Sequence, residues 1–306
     1  MAGHAFTDSG GQPTTTNSAD AGESLLNTLV SRSPALLRLR NRLRQGPDLE
    51  RLDVDAFGPC ASLQAKQFNI RGFIRSSMLD WPGKISSVIF LGGCNFRCPV
   101  CHNHRLTFDS DSTSAIPIDE VIEYLGRRRA WIDGITVSGG EPTVNPELGS
   151  LLALFKERGI STRLDTNGSN PRMLEDLIRC GLLDAAAMDV KAPLTADEYA
   201  RVAGVTIDPS VIAESIGALK ASSIEVTFRT TVIPGLVEEP ELARIAKLLG
   251  KAVHYKIQPF RNVETLDPSF TSVKPFPPEK LSTMRRLFET PCAAEPLVSL
   301  SHAFAG

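Results

Sequence analysis

From Phe68 onward the chain alternates short apolar runs with amphipathic helical stretches, and no other feature constrains its fold as strongly. The runs predict strands over 68–73, 87–91, 134–137, 162–165, 185–190, 226–232 and 255–258. Between them, apolar residues recur at helical spacing over 118–129, 146–158, 171–180, 196–202, 209–221, 240–249 and 277–288. Proline opens several of these helices, where its fixed φ suits the first turn. A strand–helix–strand order implies βαβ units and a parallel sheet. About six units fit, fewer than the eight of a closed barrel. The expected fold is α/β, an incomplete parallel (β/α)6-type TIM-like barrel over residues 67–306. Chemistry in such folds sits at the C-terminal ends of the strands. The polar motifs of this chain follow directly on its apolar runs.

Residues 1–66 read as a separate N-terminal extension, partly disordered with short helices. Residues 1–22 are short of the apolar groups that would offset chain entropy. Helical patterns follow over 23–30 and, after Pro34, over 35–45, and residues 46–66 read as a linker. Arg38, Arg40, Arg42 and Arg44 are read as the solvated face of the second helix rather than a nucleic-acid element. A net charge of -2 carries no general electrostatic footprint for nucleic acid or a membrane surface. No apolar run is long enough to span a bilayer. The polar start of the chain lacks a secretory pattern, so the cytoplasm is the expected location.

Three of the 6 cysteines crowd into one loop, Gly92-Gly93-Cys94-Asn95-Phe96-Arg97-Cys98-Pro99-Val100-Cys101-His102-Asn103, directly after the second predicted strand. Clustering of this kind points to a metal site in a reducing compartment rather than to disulfides. Three thiolates can hold three irons of a cubane and leave the fourth without a protein ligand, whereas an electron-carrying cluster normally has four cysteines. Thiolates select iron–sulfur or zinc over hard cations. A zinc site using the three cysteines with His102 or His104 stays open at this level. So does a closed cluster that recruits Cys60, Cys180 or Cys292. These last three share no Cys-x-x-Cys unit, which argues against an auxiliary cluster, and Cys180 reads as a small core residue.

The Cys-x3-Cys-x2-Cys spacing resembles the signature of the radical S-adenosylmethionine (SAM) superfamily. Asp80-Trp81-Pro82-Gly83-Lys84, Phe90, Gly93-Cys94, Arg97-Cys98 and Cys101-His102-Asn103 extend the likeness to its glycyl-radical-enzyme activating branch. Within that branch the chain is most similar to activating proteins of anaerobic ribonucleoside-triphosphate reductase. The resemblance covers about residues 68–262 and implies a [4Fe-4S] cluster on Cys94, Cys98 and Cys101. It also implies SAM chelated at the open iron and cleaved by one electron. The 5′-deoxyadenosyl radical so formed abstracts hydrogen, with the cofactor supplying the chemistry and the protein position and dryness.

The same resemblance assigns further residues. Ser138-Gly139-Gly140-Glu141-Pro142 matches the Gly-Gly-Glu-Pro motif at the SAM amino group, with Gly139 and Gly140 allowing close backbone approach. Asp165-Thr166-Asn167-Gly168 falls near the SAM carboxylate, and Asp165, Thr166 and Asp189 match oxygen ligands of a monovalent cation in pyruvate formate-lyase activating enzymes. Lys191 would lie near the same carboxylate, its alternative being a structural pair with Asp189. Val100 stands where relatives carry an aromatic residue on adenine, and offers no stacking face. Val232-Ile233-Pro234-Gly235 and Gln258-Pro259-Phe260 match further contacts. His254 lies at the start of its strand, so no histidine role is carried over. The direction of Arg229 is open at this level.

The expected function is an activase that places a radical on a glycine of a partner, foremost anaerobic ribonucleoside-triphosphate reductase. A flavodoxin- or ferredoxin-type carrier would supply the electron. Two alternatives stand beside it: a radical SAM enzyme acting on a small nucleotide-like, deazaguanine-type substrate, and a non-catalytic zinc-binding interaction module.

Overall fold

The computed structural model of the protein describes residues 68–108, 114–250 and 253–289. The expected helices at 23–30 and 35–45, the linker, the division after residue 66, Cys60 and Cys292 lie outside them.

The apolar runs form seven strands: β1 (Ile70–Ser77), β2 (Ser86–Leu91), β3 (Gly134–Gly139), β4 (Ser161–Thr166), β5 (Ala185–Asp189), β6 (Glu225–Val232) and β7 (His254–Pro259). They pair in chain order as one sheet, β1-β2-β3-β4-β5-β6-β7, whose end strands do not pair with each other. Strands β2 to β7 are parallel. Six parallel strands in an unclosed sheet match the expected partial barrel. Strand β1 departs from the expected parallel arrangement and runs antiparallel to β2. The reason is length: residues 78–85 are too few for a crossover, so only a hairpin can join the two strands.

That hairpin has a structural task. Its turn passes through Gly83 at φ 75 and places Trp81 at 0% exposure. The indole donates to the Glu225 carboxylate at 3.3 Å, at the start of β6. The ring also lies against Gly134, at the start of β3, where an added Cβ would come within 2.8 Å of it. Trp81 therefore reaches beneath the sheet from β3 to β6 and covers the N-terminal end of the lumen.

Helices fill the crossovers: α1 (His104–Phe108), α2 (Ile118–Arg127), α3 (Leu148–Glu157), α4 (Pro171–Arg179), α5 (Ala196–Ala203), α6 (Pro209–Ala221), α7 (Glu239–Leu249) and α8 (Pro278–Glu289). Their starts follow from local chemistry. Asn170 accepts from Met173 N–H ahead of Pro171, Asp208 caps Ser210 N–H ahead of Pro209, and Glu238 with Glu241 forms a capping box. Leu151, Phe155, Leu174, Leu177, Ile216 and Phe228 are buried in the continuous core. Fully burying each such side chain contributes ~1.5–3 kcal/mol. A smaller cluster of Val232, Leu242, Ile257, Leu281 and Met284 joins β6 and β7 to α7 and α8.

Alternation along each strand turns every second residue to the lumen. Ser138, Asp165, Asp189 and Arg229 meet there across four strands. On β5 the same face carries only Ala185 and Ala187 below Asp189, which keeps that wall thin. Among the described residues no helix is long and apolar enough to cross a membrane.

Candidate active site

The cysteine loop leaves β2 at the C-terminal edge of the sheet and is tied down on every side. Gly92 N–H donates to Asn69 O at 2.9 Å, and the Asn69 amide donates back to Gly92 O at 3.1 Å. Arg97 N–H donates to Ala203 O at 2.8 Å, at the end of α5. Gly204, at φ +69, lies so close that a Cβ would stand 2.0 Å from Arg97 O. Phe96 is buried edge-on against Tyr199, with ring centroids 6.4 Å apart. The Asn103 amide donates to Gly139 O at 2.9 Å.

The Gly139–Gly140 turn packs directly on this loop. Gly140 N–H donates to Leu91 O and Glu141 N–H to Gly93 O. A Cβ on Gly140 would fall 2.0 Å from Gly93 O, and one on Gly139 2.2 Å from Leu91 O. The two glycines are thus demanded by backbone against backbone.

Glu141 follows directly on this turn. Its side chain is 0% exposed and both oxygens face protein. Oε1 accepts from Thr143 N–H, Thr143 Oγ1 and Thr166 Oγ1, the last at 2.7 Å, and Oε2 accepts from Asn167 N–H at 2.6 Å. Burial pushes its pKa up and these donors pull it back. The carboxylate therefore joins the end of β3 to the end of β4. Thr166 and Asn167 follow the same logic. The Thr166 hydroxyl also accepts from Gly168 N–H, and the Asn167 amide donates to Asn95 Oδ1 at 3.0 Å, holding the cysteine loop.

Asp165, Asp189 and Lys191 do come together, and Arg229 joins them. The Arg229 guanidinium lies between the carboxylates, Nε 2.7 Å from Asp189 Oδ1 and Nη1 2.9 Å from Asp165 Oδ2. Lys191 Nζ takes Asp189 Oδ2 at 3.0 Å, so the pair that was the structural alternative for Lys191 is present. Burial alone would raise the Asp189 pKa, but Arg229 and Lys191 hold it down at about 2. Asp189 in turn raises Lys191, and Asp165 and Asp189 raise Arg229, against the opposing effect of burial.

Three thiols meet this charged wall. Burial pushes Cys94, Cys98 and Cys101 above their ordinary pKa, and the Lys191 ammonium pulls each of them back. Each thiol also senses the charge of another of the three. Yet among the described residues no three His, Cys, Asp or Glu side chains stand close enough to share one metal ion. A single zinc draws its ligands around one centre at about 2.3 Å. A cubane gives each thiolate its own iron and suits thiols spread along one loop. The donor set therefore fits a cluster better than a lone ion. The oxygen set expected for a monovalent cation does not fit one in this arrangement: Arg229 and Lys191 already neutralise Asp165 and Asp189, and the Thr166 hydroxyl is spent on Glu141.

Sequence reasoning missed Arg163, which is 3% exposed, shares the lumen face with Asp165 and approaches its Oδ1 at 3.4 Å. It also missed the segment after β7 that returns over the loop. Asp267 N–H donates to Pro99 O at 2.9 Å, His102 Nε2 lies 2.9 Å from Arg261 O, and Glu264 pairs with Arg105. Val100 packs half-buried against the core.

The sequence profile of the radical SAM superfamily matches residues 88–248, from β2 almost to the end of α7. A Methanocaldococcus jannaschii protein named as a glycyl-radical enzyme activating enzyme is 34% identical over 227 residues, covering 71% of this chain and 89% of its own. A pyruvate formate-lyase-activating enzyme of Clostridium pasteurianum is 28% identical over 195 residues, 61% of this chain and 79% of its own. Among solved structures, Streptococcus suis SuiB bound to S-adenosylmethionine gives a TM-score of 0.50 at 17% identity, over 64% of this chain and 44% of that one. At that identity the likeness speaks for the fold alone.

Proposed function

Since the chain belongs to the radical SAM superfamily, we propose that this radical SAM enzyme is an activase that places a radical on a glycine of a partner glycyl-radical enzyme. The observation that carries the reading is the three-thiol loop, locked against the Gly139–Gly140 turn at the C-terminal edge of an unclosed parallel sheet and backed by Lys191. The match to 89% of the length of a relative named as an activase supports it, since little of that relative lacks a counterpart here.

When bound, the [4Fe-4S] cluster and SAM supply one-electron cleavage of the sulfonium C–S bond and a radical able to take hydrogen. Cys94, Cys98 and Cys101 would hold the cluster, with the thiol protons lost to solvent as iron binds. Backbone at Gly139 and Gly140, the Val100 side chain, and the Asp165, Asp189, Lys191 and Arg229 group would border SAM. Lys191 and Arg229, whose charge is shared with Asp189 and Asp165, would offer N–H donors to its carboxylate. Glu141, Thr166 and Asn167 keep the loops in register. Trp81 excludes water from below. We assign no separate monovalent cation to this set.

The gap between β1 and β7 offers a glycine loop a lateral way in. The motif likeness favours anaerobic ribonucleoside-triphosphate reductase as the partner, while named relatives point to pyruvate formate-lyase. A flavodoxin- or ferredoxin-type carrier would reduce the cluster, and three free thiols on one loop suit the reducing cytoplasm. The test is anaerobic incubation of the reconstituted protein, SAM and reductant with each candidate partner in turn. A glycyl-radical EPR signal in one of them supports the reading. SAM cleavage with no radical in any glycyl-radical enzyme would move it to a small-molecule substrate.

A further inference from the structure

Outside the lumen, on the flank of the cysteine loop, lies a shallow hollow of about 440 Å³. One wall is Arg97 and Pro99, the two neighbours of Cys98, and the facing wall is Arg201 on the last turn of α5. Leu236, Leu266 and Phe270 supply an apolar floor. The hollow is pre-formed, because Asp267 N–H is bonded to Pro99 O and the short helix Pro268–Ser272 carries Phe270 from there.

Its rim carries two cations that face solvent. Arg97 and Arg201 are exposed, and among the described residues neither forms an ion pair. Arg97 rests over the Phe108 ring and bonds Cys94 O and Phe96 O, while Arg201 donates to Gly235 O at 3.4 Å and lies within electrostatic reach of Glu198. Asp267 also borders the hollow, but its carboxylate caps Ser269 N–H at 2.9 Å. Two guanidinium groups outside any ion pair, over an apolar floor, stand out on a chain whose net charge is -2.

We propose that this hollow is the docking surface for an acidic one-electron carrier protein. The proposal rests on the radical SAM reading and deepens it. Each cycle then needs one electron from outside: the carrier is oxidised by one, the cluster is reduced by one, and no bond or proton changes hands. Electron transfer weakens steeply with distance, so the carrier must dock beside a cluster ligand. Arg97 and Pro99 put Cys98 directly behind the wall of the hollow. Electron-transfer encounters are small and weak, and charge complementarity sets their rate. An acidic carrier finds here two unpaired cations and a few apolar contacts, away from the lumen where a glycine would enter.

The test is Arg201→Glu in the reconstituted full chain, with Arg128→Glu, at the far end of α2, as a charge-matched control. Cluster bleaching is followed by stopped flow with reduced flavodoxin, and in parallel with dithionite. At low salt Arg201→Glu is expected to slow flavodoxin-driven bleaching about tenfold, within the range that steering supplies. High salt should erase the difference, the control should match wild type, and dithionite-driven SAM cleavage should be unchanged. Equal flavodoxin rates overturn the proposal, as does a parallel loss in both arms. So does an unchanged rate with less glycyl radical on the partner, which would assign the hollow to the glycyl-radical enzyme. Wild type that fails to cleave SAM with dithionite would instead overturn the underlying reading.

Discussion

Arg229→Gln should be among the costliest single changes in the lumen, and its cost can be worked from the geometry. The guanidinium is 14% exposed and bonds two carboxylates that are 11% and 24% exposed. Removing one member of a buried charged set costs ~3–5 kcal/mol, because the charges left behind lose their partner without regaining water. Here each carboxylate keeps a substitute: Asp189 keeps Lys191 at 3.0 Å, and Asp165 keeps Arg163 at 3.4 Å and the Ser138 hydroxyl at 3.5 Å. The lower end, ~3 kcal/mol, is therefore expected. A double-mutant cycle sharpens it. In an Asp189→Asn background the same change should cost ~1–2 kcal/mol less, the coupling of a direct pair. Urea unfolding of the cluster-free protein at pH 7 under anaerobic conditions measures both. A cost under ~1 kcal/mol, or additive effects within ~0.5 kcal/mol, would refute the bridge between β4, β5 and β6.

Trp81→Ala should destabilise by ~3–5 kcal/mol in the same unfolding assay, because a fully buried ring is lost from the end of the lumen. Gly140→Ala must move the cysteine loop, since its Cβ would sit 2.0 Å from Gly93 O; iron bound per chain after reconstitution should fall to a small fraction of wild type. The Asp189 pKa, depressed to about 2 in the fold from an ordinary 3.8, gives a signed pH effect. Its contribution is full above the ordinary value and is lost as pH falls toward 2. Asp189→Asn should therefore lose less stability than wild type on acidification through that window, as read by unfolding midpoints at each pH.

Much of the fold was legible because buried parallel strands read as unbroken apolar runs. The stretch Ala185–Asp189 and its neighbours fall within a residue or two of their expected bounds. Strand β1 was legible only in its first half, since its exposed Arg75 and Ser76 carry no apolar signal; its antiparallel direction was missed, although Pro82-Gly83 marks a turn that would have shown the hairpin. Helix α1 is too short for any periodicity.

The candidate site was legible where chemistry is local. Three thiols on one loop need no tertiary information to be noticed. Arg163 and Arg229 were hidden because a lone arginine in a strand does not declare its face. The period of two would have found Arg163, two residues before Asp165, and the register that pairs Arg229 with Asp189 places the other. Glu141 carries information that its motif does not. Its motif suggests a ligand contact; its partners Thr166 and Asn167 lie a whole βα unit away, and only folding reveals that they bond its carboxylate.

The central claim is tested most directly by reconstituting the protein anaerobically with iron and sulfide, reducing it, and adding SAM. The account predicts a [4Fe-4S]1+ EPR signal that SAM alters, with 5′-deoxyadenosine formed by wild type and absent from Cys98→Ser. A colourless protein with stoichiometric zinc, or a cluster signal that SAM leaves untouched, would contradict it.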